Sequence, residues 1–298
     1  MLSTLRTNFL ESKVNAYLVG GFIRDRLLGI ESKDLDIVLD SRAKIYIAPV
    51  LKAFRLNVYF DLSSDFIYKN DFLELSYFAR YEILSIKLGT HSFDFVPMRC
   101  ELFYTNLRSP DKILFTKNLY LDALRRDFSI NAIYESLLDS SLLDPFSGLK
   151  DLEEKRLTAV GDANLKLQED ALRILRALDF AFRYNLSLDK SLESSLHQNY
   201  KLSKSISLFH KKHYLFRYLN SLLASSKKDL YSNTSLSLAT SFQKELDFIF
   251  GCDFLELVDI VLRGDGLNIL EDKKVLKSLG LETSLKLSCK EVTSLIKE

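Results

Sequence analysis

Cysteine is scarce in this sequence of 298 residues, which contains only Cys100, Cys252 and Cys289. None of the three belongs to a Cys-x-x-Cys pair, so a disulfide framework or a structural zinc site is not expected, and a reducing cytoplasm is favoured. No stretch approaches the roughly 18 consecutive apolar residues of a transmembrane helix. Residues 1–13 lack the apolar run of a signal peptide, and no contact with a membrane is predicted.

An excess of either charge is also absent, because 41 lysines and arginines balance 40 aspartates and glutamates. Net charge therefore does not indicate nucleic-acid binding, and any RNA site must come from local clustering of basic residues. The content of 47% hydrophobic and 27% charged residues is typical of a soluble globular protein. The chain is long enough for two or more domains.

The first part of the chain alternates short β-type segments with helices. Strands are predicted at 16–21 and 34–40, and 81–98 has the alternating apolar residues of a hairpin. From about Asp122 onward helical periodicity takes over, and apolar residues recur at helical spacing in 169–182. Further helices are predicted at 254–262 and 273–281. This order predicts an α+β fold, in which a mixed β-sheet head precedes an all-helical rear.

The strongest local signal is a double glycine between a predicted strand and a predicted helix. Gly20 and Gly21 let backbone N–H groups approach a phosphate closely, and the N-terminus of a helix adds partial positive charge there. Arg24 adds a full positive charge. A double glycine by itself marks only a turn, so this interpretation depends on the residues that follow.

Two carboxylates lie on the next predicted strand. Asp34 and Asp36 are two residues apart, which on a strand directs both side chains to one face. Mg²⁺ favours such a setting, because it binds one or two carboxylates and completes its shell with waters and substrate phosphates. Two such ions can activate an attacking 3′-hydroxyl and stabilise a leaving pyrophosphate. The plainer interpretation is a solvated strand edge, but the order of strand, double glycine, arginine and carboxylate pair favours a metal site.

A third catalytic carboxylate is predicted at Asp94, in the second arm of the hairpin. Phe93 and Phe95 on either side would face the opposite side of the strand. This placement suits an acid that faces the same metal site as Asp34 and Asp36. It also suits a plain surface aspartate, and the pattern alone does not separate the two.

Four motifs occur in an order that resembles one known family. They are LVGGFIRD with KDLDI (18–25 and 33–37), RRDFSINA (125–132), DPFSGLKDL (144–152) and EDALRILRA (169–177). In this order they resemble the motifs of class II tRNA nucleotidyltransferases and bacterial poly(A) polymerases. The resemblance covers roughly residues 16–183. It implies a nucleotidyltransferase-type head, joined at the third motif to a helical neck.

The resemblance also gives roles to the second motif. It implies that Arg125, Arg126, Asp127 and Asn131 bind the nucleotide, with Arg126 and Asp127 holding the triphosphate and the ribose hydroxyls. A guanidinium suits phosphate and a carboxylate suits a 2′-hydroxyl. For an isolated motif, an alternative is the start of a helix that Asp127 caps.

The fourth motif is implied to read the incoming base. Asp170 and Arg173 are three residues apart, so the spacing predicts that they share a helix face. The resemblance implies that they bind the Watson–Crick edge of CTP or ATP, because a carboxylate accepts from the exocyclic amine that C and A both carry. Arg176 is expected to reach phosphate. The alternative for Asp170 and Arg173 is an intrahelical salt bridge, which contributes only about 0.3–0.5 kcal/mol.

One residue departs from the family pattern. Where the family usually has Arg-Ala-x-Arg-Phe, the sequence has Asp179 in place of the second arginine. A phosphate or base contact of that arginine is therefore expected to be missing.

Basic and aromatic residues cluster at 210–218, outside the four motifs. Lys211, Lys212 and Arg217 could follow an RNA backbone, where counterion release supplies affinity. An equally good alternative is a solvated helix face whose tyrosines pack inward.

Together with these patterns, the resemblance implies a catalytic head at 1–139, a base-reading helical neck at 140–223 and a helical body at 224–298 that contacts tRNA. The reaction it implies transfers CMP and AMP from CTP and ATP to the 3′ end of tRNA, with Mg²⁺ as cofactor. No obligate protein partner is expected.

Four activities compete within the family, namely CCA addition, CC addition, A addition and poly(A) synthesis. The segment between Arg99 and Arg125 resembles the undeleted flexible loop of full CCA-adding members, which favours CCA addition, with A addition next. The non-enzymatic alternative is an RNA-binding relic of the fold. Intact Asp34, Asp36 and Asp127 argue against it.

Overall fold

The computed structural model describes residues 1–226 and 234–250. The chain divides into two compact units whose segments interleave along the sequence. Unit 1 comprises Met1–Thr105, Pro110–Glu154 and Ala159–Gly161, and unit 2 comprises Asn106–Ser109, Lys155–Thr158 and the described residues from Asp162 onward. The helices predicted at 254–262 and 273–281 lie outside the described residues. No helix within the described ranges is long and apolar enough to cross a membrane.

Unit 1 is built around a mixed sheet. Its helices are α1 (Leu2–Glu11), α2 (Gly21–Leu27), α3 (Ala43–Phe54), α4 (Leu119–Leu124) and α5 (Gly148–Glu153). Its strands are β1 (Ala16–Val19), β2 (Asp34–Leu39), β3 (Phe66–Lys69), β4 (Leu73–Phe78), β5 (Ile83–Leu88), β6 (His91–Pro97), β7 (Arg99–Leu102), β8 (Lys112–Phe115), β9 (Tyr134–Ser136) and β10 (Leu142–Leu143). The main sheet has the order β10–β9–β1–β2–β6–β5–β4–β3, and β7 and β8 form a separate hairpin. Within the main sheet, β2 and β6 pair in parallel.

The two faces of β2 and β6 differ in chemistry. On one face, Leu35 and Ile37 are buried together with Phe93 and Phe95. The ring of Phe54 in α3 packs edge-on against both phenylalanines, with centroid distances of 5.1 and 6.0 Å. Because neighbours along a strand point to opposite faces, the aspartates of both strands are directed away from this aromatic core.

The structure confirms the predicted α+β class. The strands predicted at 16–21 and 34–40 and the hairpin predicted at 81–98 are all present, and a helix follows the double glycine. The functional division into head, neck and body stays a prediction.

Unit 2 is mainly helical. Its helices are α6 (Ala163–Glu169), α7 (Leu172–Tyr184), α8 (Lys190–Asn199), α9 (Leu208–Ser226), α10 (Thr234–Ser241) and α11 (Gln243–Phe250). It also contains the short parallel strands β11 (Arg156–Leu157) and β12 (Ser187–Leu188), which the helical pattern did not predict. Two residues each are too short to produce a recognisable alternation.

A buried ion pair joins α7 to α9. Asp179 is 1% exposed, and its Oδ2 accepts a hydrogen bond from Arg217 Nη2 at 2.7 Å. Arg183 Nη2 lies 3.5 Å from the same oxygen. Nearby, the hydroxyl of Tyr218 donates to the carbonyl oxygen of Leu175 at 2.5 Å. The acid that departs from the family pattern is therefore an internal partner of an arginine from the neighbouring helix.

We expect Arg217→Ala to destabilise the protein, because it removes the nearest donor from a buried carboxylate. The loss of a hydrogen bond to a buried charged group corresponds to roughly 2–3 kcal/mol. Urea denaturation followed by circular dichroism would measure it as a lower midpoint.

A double-mutant cycle with Asp179→Asn is the control for this pair. In the Asp179→Asn background, where the side chain is neutral, removal of the arginine should cost clearly less than in the wild type. Equal losses in both backgrounds, or no loss in either, would contradict the importance of the pair.

Candidate active site

Three carboxylates lie together on the face of β2 and β6 that is opposite the aromatic core. Asp34 and Asp36 are both on β2, and the parallel register pairs Asp36 with Asp94 of β6. Ser85 of β5 donates to Asp94 Oδ1 at 2.5 Å and so orients that carboxylate. The structure brings the three predicted acids together, while their catalytic roles stay predictions.

The double-glycine turn passes close to Asp36. Val19, the last residue of β1, pairs with Asp36, and Gly20 follows with φ of 76°. A β-carbon at Gly20 would lie 2.7 Å from Asp36 Oδ2, which is closer than any side chain tolerates. Glycine meets both demands, since it adopts positive φ freely and has no side chain. The backbone can therefore approach the carboxylate face closely, while phosphate binding at this turn stays a prediction.

The environment of Asp36 and Asp94 disfavours the ionised form of both carboxylates. Burial raises the pKa of Asp36 to about 6, and the Asp94 and Asp34 carboxylates add to the rise, whereas Arg126 opposes it. Burial also raises the pKa of Asp94, although the hydrogen bond from Ser85 acts against it. Acids of this kind are stabilised in their ionised form by a nearby cation.

The donor set fits a magnesium ion that completes its shell with substrate. In the part of the chain that the structure describes, no group of three or more His, Cys, Asp or Glu side chains is arranged to hold a metal by itself. Mg²⁺ is usually bound through one or two carboxylates, with waters and phosphate oxygens as further ligands. Asp34 and Asp36, with Asp94 beside them, match that pattern.

Arg126 is held next to this face by a buried carboxylate. Asp122 of α4 has no exposed surface, and its Oδ2 lies 3.3 Å from Arg126 Nη2. The hydroxyl of Tyr134 donates to the same oxygen at 2.8 Å and accepts from Arg126 Nε at 2.9 Å. A β-carbon built on Gly20 would be 3.7 Å from Arg126 Nη1, so the guanidinium reaches the glycine turn.

Asp122 is a residue that the sequence reasoning missed. It accepts hydrogen bonds from Arg125 Nε at 2.8 Å and from the backbone N–H of Arg99 at 3.2 Å, in addition to the contacts with Arg126 and Tyr134. Burial opposes its ionisation, but the two neighbouring guanidinium groups lower its pKa to about 2. The spacings Asp122–Arg125 and Asp122–Arg126 are three and four residues, a helical pattern that could have revealed it.

A chain of hydrogen bonds connects the first and second motifs. Arg24 Nη1 donates to Asn131 Oδ1 at 2.6 Å, and Asn131 Nδ2 donates to Asp127 Oδ1 at 3.0 Å. Arg24 is 5% exposed and also contacts Asp25 at 2.8 Å. Arg24, Asn131 and Asp127 thus form one buried group under the turn. Their direct contact with a nucleotide stays a prediction.

The prediction that Asp170 and Arg173 share one helix face is wrong. α6 ends at Glu169 and α7 begins at Leu172, and Asp170 lies in the extended junction with φ of −141° and ψ of 107°. Its Oδ1 accepts from the backbone N–H of Leu172 at 3.0 Å, which caps α7. The apolar periodicity of the sequence runs across the junction, because the apolar residues at 167, 171, 172 and 175 keep helical spacing. The period alone therefore gave no sign of the break.

Arg173 is oriented by groups from α6. It is 6% exposed, and its Nη1 donates to Glu169 Oε2 at 2.6 Å and to the carbonyl oxygen of Lys166 at 2.9 Å. Lys166 Nζ also contacts Glu169 Oε2 at 3.0 Å. Arg176 lies farther along α7, with its guanidinium 5.1 Å from the ring centre of Phe180. Glu169 is a second residue whose orienting role the sequence did not suggest.

The predicted RNA-binding residues all lie on α9. Arg217 contacts Asp179, and Lys211 is partly buried, which lowers its pKa. Tyr214 and Tyr218 are buried, as the alternative interpretation of an inward-packed helix face expected. Contacts of Lys211, Lys212 and Arg217 with RNA stay predictions.

Comparisons with known proteins agree with the motif order. Residues 16–158 match the family described as the poly A polymerase head domain. The CCA-adding enzyme of Lactococcus lactis subsp. cremoris MG1363 is 32% identical over 198 residues, which are 66% of this chain and 44% of that enzyme. The CCA-adding enzyme of Streptococcus mutans serotype c is 34% identical over 195 residues, 65% and 43% of the two chains. The chain thus spans less than half the length of these relatives.

The fold is also similar to a solved structure. The Bacillus stearothermophilus CCA-adding enzyme, crystallised in complex with CTP, aligns with a TM-score of 0.66 and 19% identity. The alignment covers 99% of this chain and 67% of that enzyme, and at this identity it shows a common fold. Residues 16–158 therefore match the poly A polymerase head-domain family, and the family resemblance predicted from the motifs is confirmed.

Proposed function

We propose that the protein is a tRNA nucleotidyltransferase that adds CMP and AMP, from CTP and ATP, to the 3′ end of tRNA. The observation that carries the proposal is the grouping of Asp34, Asp36 and Asp94 beside the Gly20 turn and the guanidinium of Arg126. The names of the relatives, CCA-adding enzymes, support full CCA addition rather than one of the partial activities.

In this reaction the 3′-oxygen of the RNA forms a bond to the α-phosphorus of the nucleotide, and the bond to pyrophosphate breaks. Asp34 and Asp36 would hold Mg²⁺, which supplies positive charge to the attacking oxygen and to the leaving pyrophosphate. Arg126, fixed in place by Asp122 and Tyr134, would contact the triphosphate. Because its orientation is set before the nucleotide arrives, little ordering remains to be done in the transition state.

Base selection would depend on Asp170 and Arg173 of unit 2. The Asp170 carboxylate would accept from the exocyclic amine of C or A, and U and G present a carbonyl oxygen at the corresponding position. Arg173, held by Glu169, would donate to a ring nitrogen or carbonyl of the base. Since tRNA, CTP and ATP are cytoplasmic, we place the protein there, with no obligate protein partner.

Incubation with tRNA that lacks CCA tests the activity directly. With labelled CTP alone we expect ends that finish in CC, and with CTP and ATP together we expect complete CCA. Long tails from ATP alone would indicate a poly(A) polymerase, and a product that stops at CC with both nucleotides would indicate a CC-adding enzyme. No incorporation under any condition would favour the inactive relic.

We expect Asp36→Ala to reduce nucleotide incorporation at least about 100-fold, because the loss of a metal ligand removes charge stabilisation that is needed for the chemical step. Asp34→Ala should behave in the same way. Incorporation of labelled CMP into tRNA lacking CCA, with Mg²⁺ present, is the measurement.

A suitable control is Glu74→Ala, which removes a carboxylate from β4 of the same sheet, where it pairs with Lys69 at the surface. This variant should keep near wild-type incorporation, and all three variants should keep the circular dichroism spectrum of the wild type. Robust incorporation by folded Asp34→Ala or Asp36→Ala would remove these residues from the metal site.

We expect Asp170→Asn to weaken the preference for CTP and ATP over UTP and GTP by roughly tenfold, the scale of one lost base contact. An asparagine retains an acceptor for Leu172 N–H but also presents an amide donor, which suits the carbonyl of U or G. Competition between labelled nucleotides during incorporation measures the preference.

The matched control is Asp162→Asn, the same change at a residue that caps α6 by accepting from Leu165 N–H at 2.9 Å. It should leave the preference unchanged. If folded Asp170→Asn selected nucleotides as the wild type does, Asp170 would not be the base-reading residue.

A further inference from the structure

Asp170 already has a cationic partner, contributed by a distant part of the sequence. Arg108 Nη1 lies 3.3 Å from Asp170 Oδ1 and 3.4 Å from Oδ2. The two residues are 62 positions apart, and both belong to unit 2, because Asn106–Ser109 packs with that unit. Both carboxylate oxygens are therefore approached by one guanidinium nitrogen.

The segment that carries Arg108 is a preformed turn. Asn106 Oδ1 accepts from the backbone N–H groups of Arg108 at 3.0 Å and Ser109 at 2.8 Å. The carbonyl oxygen of Leu107 accepts from the backbone N–H of Ala171, the residue after Asp170, at 2.9 Å. The turn is thus anchored by its backbone beside Asp170, and only the side chain of Arg108 needs to move for the pair to open.

The pair has the properties of a contact that can be displaced. The Arg108 side chain is 50% exposed, and its distances to Asp170 are longer than those of a strong charge-assisted hydrogen bond. Such exposed pairs are weak. Arg108 also lines a cavity of about 160 Å³ together with Leu172 and His210, which offers the side chain an alternative position.

We propose that Arg108 covers the base-reading carboxylate until a nucleotide replaces it. The inference rests on the proposed function, since it takes Asp170 as the residue that reads the base. The guanidinium donates to Asp170, as the exocyclic amine of cytosine or adenine would. A nucleotide whose base carries this amine can therefore take the place of Arg108 at Asp170.

Removal of Arg108 is expected to strengthen nucleotide binding, which is the opposite of what its positive charge alone would predict. Removal of a positive charge near a binding site should weaken the binding of an anionic triphosphate. If Arg108 instead competes with the base, its removal increases the fraction of protein that is competent to bind, and the apparent Kd falls. For an exposed ion pair the expected decrease is about two- to five-fold.

Equilibrium binding of CTP and of ATP to the full chain tests this, with Mg²⁺ and without RNA, so that no transfer occurs. Arg108→Ala should lower the Kd about two- to five-fold in the wild-type background and leave it unchanged in the Asp170→Asn background. Lys112→Ala, at the first residue of β8, removes one exposed positive charge four positions along the chain as a matched control, and it should leave binding unchanged or weaken it.

Each outcome decides the matter. An unchanged or higher Kd for Arg108→Ala overturns the inference, and so does an equal decrease for Lys112→Ala or persistence of the decrease in Asp170→Asn. If the wild type bound neither CTP nor ATP, the proposed function would fail first, and the inference would fall with it. Wild-type binding of CTP with no effect of Arg108→Ala would leave the proposed function intact and reject only the role of Arg108.

Discussion

The parallel pairing of β2 with β6 is the constraint on which the candidate site depends. It places Asp36 beside Asp94. Burial, with a smaller contribution from the repulsion between the two acids, raises the pKa of Asp36 from 3.8 to about 6, which corresponds to roughly 3 kcal/mol at neutral pH. On the opposite face, Ile37, Phe93 and Phe95 are buried, each contributing about 1.5–3 kcal/mol. Burial of the apolar face therefore outweighs the cost of burying the Asp36 charge, and it holds the acids where they could bind a cation.

Carboxylates set the orientation of the arginines in both units. Asp122 fixes Arg126 in unit 1, Glu169 fixes Arg173 in unit 2, and Asp179 fixes Arg217 between two helices. An arginine side chain loses much rotamer entropy when it binds a ligand. An ion pair with a carboxylate, formed before the ligand binds, removes part of that loss. In the first two cases the arginine belongs to the predicted nucleotide-binding set. Asp122 and Glu169 lie outside the predicted nucleotide-binding set, and they restrict the movement of the arginines within it.

The sequence allowed the strands and the acids of the head to be predicted, because alternation along a strand and the spacing of Asp34 and Asp36 are local properties. The break at Asp170 was not predictable from periodicity, since the apolar residues of the sequence keep helical spacing on both sides of it. The partners of Asp179 and Asp170 are distant in sequence, so only the fold could supply Arg217 and Arg108. Asp122 was only partly predictable. Its helical spacing from Arg125 and Arg126 is visible in the sequence, but its complete burial is not.

The order of the main sheet has a consequence for how the molecule behaves at high concentration. Its two outermost strands are β10, with two residues, and β3, with four. An outermost strand offers unpaired backbone groups to another chain, and its capacity for such pairing grows with its length. Because the eight-stranded sheet ends in strands this short, a strand of a second molecule could form few backbone hydrogen bonds with either edge. Lys69, at the end of β3, adds a charge that intermolecular pairing would have to desolvate.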